Sequence, residues 1–438
     1  MRPEIIMEKR HTSRPAKRIK DFLLLMLQRL WISFELFQKN GLTNHAAAGA
    51  YGFLLSAAPV LLIIAFFVSR LLANSPDLAA AMIRSLGFLS KTFNARDFIT
   101  NFLSSANPGL AGIISVIPLF WTARLCAQSI QRGLGVIFPP SRSNPVRSTL
   151  VTFGLGFLII LLIFAMLLGT ILVRYFFNTL ESTFGQSGSR SFRFLLIRIF
   201  FLLCLALMVL VFYRIVPMDH PKWKFIIPGT LACIIFHQLF SGVFSLIVRP
   251  DRYNELYGAL GNLFLLLINV YFFFTFFLFG AQLIMVQGLS DALLFIRYRK
   301  LKSMGTKPVL PWDRIFASLP APLVKYSGSF KSGELIVKRG SLDEEVYYIL
   351  SGKAGVYLDD ECHNRIAFID ENHFFGEMEI VKSEGRSASI MAETDLSAMI
   401  LPRPLFRSIL KSDPDTNQNL ILDLSERLRS TNKQIGTY

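Results

Sequence analysis

Residues 374–389, FFGEMEIVKSEGRSAS, decide how the last third of this chain folds and what it can hold. Gly376 lets the backbone turn tightly and approach a ligand closely. Glu377, Met378 and Glu379 then open a short helix, whose free N–H groups attract an anion. Arg386 supplies a planar, forked cation that can grip phosphate oxygens at two points, and Ser387 and Ala388 follow it. The stretch reads as a cradle for a phosphate.

Outward from it, the pattern is that of strands. GELIVKRG (333–340), VYYILSGKAGVYL (346–358) and RIAFID (365–370) alternate β-branched and aromatic residues with turn signals, which predicts a small antiparallel β structure. Ser389–Leu410 adds a strand pair and a short helix, and Thr416–Thr431 is an amphipathic helix. The soluble domain is expected over 312–438. Residues 291–311 are expected as a linker, with Gly/Pro character from Met304 to Pro322.

The rest of the chain has a different composition. Of 438 residues 52% are hydrophobic, 17% are charged and 41 are Phe, which is too apolar for an ordinary soluble protein. A bilayer span needs about 20 apolar residues. Six stretches qualify, near Ala46–Leu72, Leu110–Ile130, Thr149–Tyr175, Phe194–Val216, Phe225–Val248 and Leu260–Val286. The expected architecture is an all-α six-span bundle over 46–290, followed by the soluble β-roll with flanking helices. Residues 1–45 read as a basic arm and an interfacial helix, Asp21–Asn40, whose uninterrupted apolar runs are too short to cross.

Charge gives the topology. Met1–Pro311 carries 31 Lys/Arg against 11 Asp/Glu, whereas residues from Trp312 onward carry 15 against 19. The basicity thus belongs to the membrane half, where it reports orientation and anionic lipid rather than nucleic acid. The N-terminal arm, Arg142 and Arg147, Lys222 and Lys224, and the run Arg297–Lys307 fall on one side of a six-span protein. The positive-inside rule makes that side cytoplasmic, so both termini are expected there, in an inner-membrane protein. The N-terminus lacks the apolar core and cleavage site of a signal peptide.

Polar residues inside spans face the bundle interior at a cost in lipid. Arg124 and Gln128, His237 and Gln238, and Asn262, Asn269 and Gln282 form the candidate polar pathway or substrate site. The competing explanation for each is an interhelical hydrogen bond worth about 1 kcal/mol, or a snorkelling arginine. Catalysis has little support. The six His form no HxH or HExxH pattern, and GxSxG and Walker A patterns are absent. The four Cys have no metal-type spacing, so no metal, cofactor or enzymatic activity is expected.

Two resemblances sharpen these expectations. GELIVKRGSLDEEVYYILSGKAGVYL with the FGE…GRSAS segment resembles the cyclic nucleotide-binding domain family, over about Ile315–Ser430. That resemblance implies that Arg386 pairs with the cyclic phosphate and that Glu377 accepts from the ribose 2′-hydroxyl. It also implies that the amides of Glu377 and Met378 line the phosphate, within a site spanning Gly376–Glu379 and Arg386–Ala388, and that Ser387 touches phosphate or base. Glu379 stands where the family commonly has a small residue, and its carboxylate would repel a phosphate by about 1–4 kcal/mol unless it turns into water.

The membrane half resembles the YihY/BrkB family, sometimes labelled ribonuclease BN-like. The residues that carry the likeness are AAAGAYGFLLSAAPVLL (46–62), YRIVP (213–217), PGTLACIIFHQLFS (228–241) and YNELYGALGNLFLLLINVYFFFTFFLFGAQL (253–283). The family's GAE motif has Gln282 here, a side chain that cannot titrate, and Gly52 stands where a second Tyr is frequent. Together the readings imply a transporter- or permease-like protein tuned by cyclic AMP or a related nucleotide, its partners being lipid and nucleotide. Self-association is left open. The alternative is a non-transporting envelope or scaffold protein whose β-roll docks a partner.

Overall fold

The computed structural model describes residues 15–55, 124, 127–139, 149–151, 154, 169, 189–217, 220–248, 259–303, 311–358, 365–378 and 385–435. The chain divides into two compact units. Ser33–Gly288 forms one, and Met1–Ile32 with Leu289–Tyr438 forms the other.

The first unit is helical. It takes the end of α1 (Pro15–Lys39), helical residues 42–55 and 127–137, then α2 (Ser189–Ile215), α3 (Trp223–Ile247) and α4 (Ala259–Gly288). Among the described residues, three stretches are long and apolar enough to cross a membrane: Leu195–Ile215, Trp223–Ile247 and Leu263–Gly288. They coincide with the fourth, fifth and sixth expected spans. The first three expected spans lie mostly outside the described residues, though their described parts, such as 46–55 and 127–130, are helical. At about 1.5 Å per residue, 25 residues reach beyond a hydrocarbon core of about 30 Å.

Close packing in this unit relies on small residues, since lipid removes the hydrophobic drive between helices. A side chain at Gly229 on α3 would lie 2.9 Å from the carbonyl oxygen of Gly280 on α4, and one at Gly280 would lie 2.8 Å from that of Gly229. The two backbones therefore cross at these residues. Tyr213 of α2 closes the crossing: its hydroxyl donates to the Phe277 carbonyl at 2.5 Å, and its ring stacks on Phe277 at 5.0 Å. Farther along, Phe240 stacks on Phe272 at 4.0 Å. Gly280→Leu is expected to part the helices at a cost of at least 1–3 kcal/mol, about the overpacking range. A lowered melting midpoint of the detergent-solubilised protein checks this.

Among its described residues, the second unit holds α5 (Ser290–Ser303), two short 3₁₀ turns at Pro311–Phe316 and Ala321–Tyr326, eight strands and two closing helices. The strands are β1 (Ser327–Phe330), β2 (Leu335–Val337), β3 (Glu345–Ser351), β4 (Ala354–Tyr357), β5 (Arg365–Ile369), β6 (Phe374–Phe375), β7 (Ser389–Ala392) and β8 (Leu396–Pro402). They form two four-stranded antiparallel sheets in the orders β1-β8-β3-β6 and β2-β7-β4-β5. The helices α6 (Arg403–Ser412) and α7 (Pro414–Ile435) follow. The expected β-roll with flanking helices is the fold of this unit, and Gly340 and Gly352 take the positive φ of tight turns, at 75° and 93°.

Strand β3 is buried on both faces, which its run of consecutive apolar residues anticipates. Tyr347 and Ile349 point into the roll with Phe330, Ile390 and Ala398. Tyr348 points the other way, into an aromatic cluster with Phe295 of α5 (5.3 Å), Phe374 of β6 (4.9 Å) and, through Phe374, Phe406 of α6 (5.4 Å). The stretch 291–311, expected as a linker, thus begins as a helix docked on the sheet. Polar ties reinforce α5: Arg297 pairs with Asp313 at 2.9 Å, Arg299 meets Asp413 and Thr416, and Lys302 donates to the Leu350 carbonyl. Residues 304–310 are outside the described set.

Candidate functional site

The segment expected to hold a phosphate begins where β6 ends. Phe375 stacks flat on Tyr347, 4.8 Å between centroids and 3° between planes, which anchors the strand on the roll interior. Burial, reinforced by Glu345, pushes the Tyr347 phenol well up, so it stays neutral. The next residue, Gly376, has φ 77°, and a side chain there would lie 2.4 Å from Nη1 of Arg386. Only glycine both adopts this turn and leaves room for the guanidinium. Glu377 and Arg386 are 2% and 3% exposed, and Met378 is the exposed start of a helical turn.

Arg386 is held from two sides. Nη1 donates to the Gly376 carbonyl at 2.8 Å and Nη2 to the Glu345 carbonyl at 2.6 Å. Its backbone is locked to the β2–β3 turn, because Gly340 N–H donates to the Arg386 carbonyl at 2.8 Å and Arg386 N–H donates to the Ser341 carbonyl at 3.0 Å. Ser389 Oγ accepts from the Arg339 amide at 3.0 Å. Ser387 is exposed beside this frame and Ala388 is half-buried. The result is a buried, permanently charged fork, aimed by backbone oxygens beneath a glycine turn. A charge so buried is poorly screened, and its forked geometry is of the kind that suits an oxyanion.

Six of the seven expected cradle residues are therefore described here, and Gly376 and Arg386 are in direct contact. Glu379 lies within 379–384, outside the described residues. Sequence reasoning missed Glu345, Ser341 and Ser389. The first two act through backbone carbonyls, which leave no residue-type signature; Ser389 was quoted only as the end of the segment.

Gly376→Ala is expected to weaken nucleotide binding about tenfold, because the left-handed turn costs a side chain about 1–2 kcal/mol and the methyl displaces Arg386. Calorimetry on the full-length protein checks it.

The intramembrane residues are less convergent. Gln282 is completely buried in α4, His237 is half-buried with its ring edge on Phe273 at 5.4 Å, and Gln128, Gln238 and Asn269 are half-buried. Arg124 is exposed, and the Asn262 side chain is outside the described set. Among the described residues no hydrogen bond joins two of the seven, and no group of three His, Cys, Asp or Glu is placed to hold a metal.

Comparison with known proteins agrees with both halves. The family model for virulence factor BrkB matches residues 33–291, well over half the chain. The chain belongs to the BrkB family. Its match begins at the same residue as the helical unit, Ser33. A second model, the cyclic nucleotide-binding domain, matches residues 328–413, so this BrkB-family member carries that domain after its membrane part.

A UPF0761 membrane protein of Aggregatibacter aphrophilus is 24% identical over 255 residues, 58% of this chain and 89% of that protein. A cGMP-dependent protein kinase of Plasmodium berghei is 37% identical over 82 residues, 19% of this chain. A CRP-like cAMP-activated global transcriptional regulator of Mycobacterium tuberculosis is 28% identical over 109 residues, 24% of this chain. The chain spans 9% of the kinase and about half, 49%, of the regulator. Among solved structures, the Thermus thermophilus catabolite activator protein is 25% identical, with a TM-score of 0.23, over 28% of this chain and 61% of that one. The two matched families are a membrane-protein family and a ligand-binding domain.

Proposed function

We propose that this BrkB-family protein is a multi-pass transporter- or permease-like protein of the inner membrane, with both termini cytoplasmic, whose activity is tuned by cyclic AMP or a related cyclic nucleotide bound at Gly376–Glu379 and Arg386–Ala388. The observation that carries the reading is the buried Arg386 fork under the Gly376 turn. Its guanidinium takes the cyclic phosphate, the Glu377 carboxylate accepts from the ribose 2′-hydroxyl, and the Glu377 and Met378 amides face the phosphate. The cAMP- and cGMP-linked relatives support this ligand class without choosing between the two.

A route for the signal starts two residues before the glycine turn. Phe374 borders the cradle and touches Phe295, which lies on α5, seven residues after the end of α4. A ligand that tightens the Gly376 turn moves β6, and β6 bears on α5. The shift is limited to the ligand's differential affinity for the two positions of α5. Gln282, His237 and the other intramembrane polar residues are the candidates for the transported species' path.

A second reading rests on Arg386 already bonding two carbonyls, a purely structural role that would suit a β-roll serving as a docking module in a non-transporting envelope or scaffold protein. Calorimetry of the full-length protein in nanodiscs with cyclic AMP and cyclic GMP separates the two. Micromolar-range binding of either supports regulation; no binding of either supports docking. Solute uptake into proteoliposomes, with and without the nucleotide, then tests transport.

A further inference from the structure

The first half of α1 has two faces with different partners. Ile19, Phe22, Leu23, Met26 and Leu27 are between 50% and 66% exposed. Their spacing of three and four residues places them on one stripe of the helix. The opposite side is engaged by the soluble unit. Gln28, buried, donates through Nε2 to the Ile315 carbonyl at 2.7 Å, Arg29 donates through Nε to Ser290 Oγ at 3.1 Å, and Trp31 stacks on Trp312 at 4.8 Å. A contiguous apolar stripe of this kind on a helix fixed by its other face marks an interaction surface.

We infer that this stripe lies in the headgroup region of an anionic bilayer leaflet, and that α1 thereby ties the nucleotide-binding unit to the membrane surface. Charge selects lipid as the occupant. Lys17, Arg18 and Lys20 stand in the first two turns of α1, and Arg2, Lys9, Arg10 and Arg14 precede it, against Glu4 and Glu8. Basic residues beside an apolar stripe are the composition of a helix lying in an interface, where each Lys or Arg near anionic lipid adds about 1 kcal/mol. Continuity points the same way: α1 runs on to Lys39 and enters the BrkB match at residue 33. The helix thus reads the bilayer on one side and holds the 3₁₀ turn at Pro311–Phe316 and the start of α5 on the other. This assignment is independent of which nucleotide binds, or whether any does.

Photolabelling of the native full-length chain in nanodiscs of phosphatidylcholine and phosphatidylglycerol tests it. One lipid carries a carbene precursor near the glycerol backbone, another at the acyl terminus. The shallow probe is expected to label Ile19, Phe22, Leu23, Met26 and Leu27 evenly, to spare Gln28, and to do so at least twofold more than in phosphatidylcholine alone. The deep probe is expected to leave all of them unlabelled. A helix that crosses would change depth by about 12 Å from Ile19 to Leu27, at about 1.5 Å per residue, and would pass from the shallow to the deep probe. That gradient overturns the inference. So does absence of labelling by either probe, the outcome if a second copy of the chain or water covers the stripe. Equal labelling in neutral lipid overturns the role of anionic lipid.

Discussion

Arg386→Ala is expected to abolish measurable cyclic nucleotide binding by the full-length protein. The guanidinium is 3% exposed, so a phosphate meeting it gains a poorly screened, charge-assisted pair. Losing one member of such a pair costs about 2–5 kcal/mol, a loss of affinity of about 30- to 4,000-fold. The same residue also bonds the carbonyls of Gly376 and Glu345, so the variant loses part of its frame as well. Arg386→Lys distinguishes the effects: it keeps the charge but gives up the two-point fork. Calorimetry should show Lys intermediate between Arg and Ala if the charge binds phosphate. If both variants bind like the parent, Arg386 is a structural residue and the nucleotide phosphate is held by other groups.

The second large effect is expected at Phe295. This ring is fully buried, edge-on to Tyr348 at 5.3 Å and 6.2 Å from Phe374. Phe295→Ala leaves a cavity where α5, β3 and β6 meet, at about 3–5 kcal/mol. For a unit of this size that lowers the melting midpoint by about 6–20 °C. Differential scanning fluorimetry reads the loss. Saturating nucleotide should recover part of the midpoint, since a ligand that binds only the folded unit stabilises it by mass action. The variant should also uncouple: any nucleotide effect on solute flux should shrink while binding persists. Undiminished regulation in a folded Phe295→Ala protein would falsify the α5 route.

Much of the fold was legible because its signals are local. The strand pattern of 333–370, the glycine turns at Gly340 and Gly352, and the apolar runs that became α2, α3 and α4 depend on residue type and period alone. The tight turn at Gly376 beside Arg386 was legible for the same reason, since Gly376, Glu377 and Arg386 lie within eleven residues of one another. What escaped was the part made by distant backbone. Nothing in the residue type of Glu345 announces that its carbonyl, 41 positions away, orients Arg386. The helix α5 escaped too, because the four basic residues in the second half of SDALLFIRYRKLKS read as a segment flanking the last span, and only the sheet gives Phe295 a partner.

The sequence by itself determined that a membrane helical half precedes a β-roll with flanking helices. Composition, period and spacing act over a few turns or strands and need no tertiary information. Only the tertiary structure decided what Arg386 touches, that α3 and α4 cross backbone to backbone at Gly229 and Gly280, and that α1 and α5 dock on the nucleotide-binding unit. Those contacts join residues from ten to nearly three hundred positions apart, and they are set by which buried surfaces fit together, a property of the packed chain rather than of any segment in it.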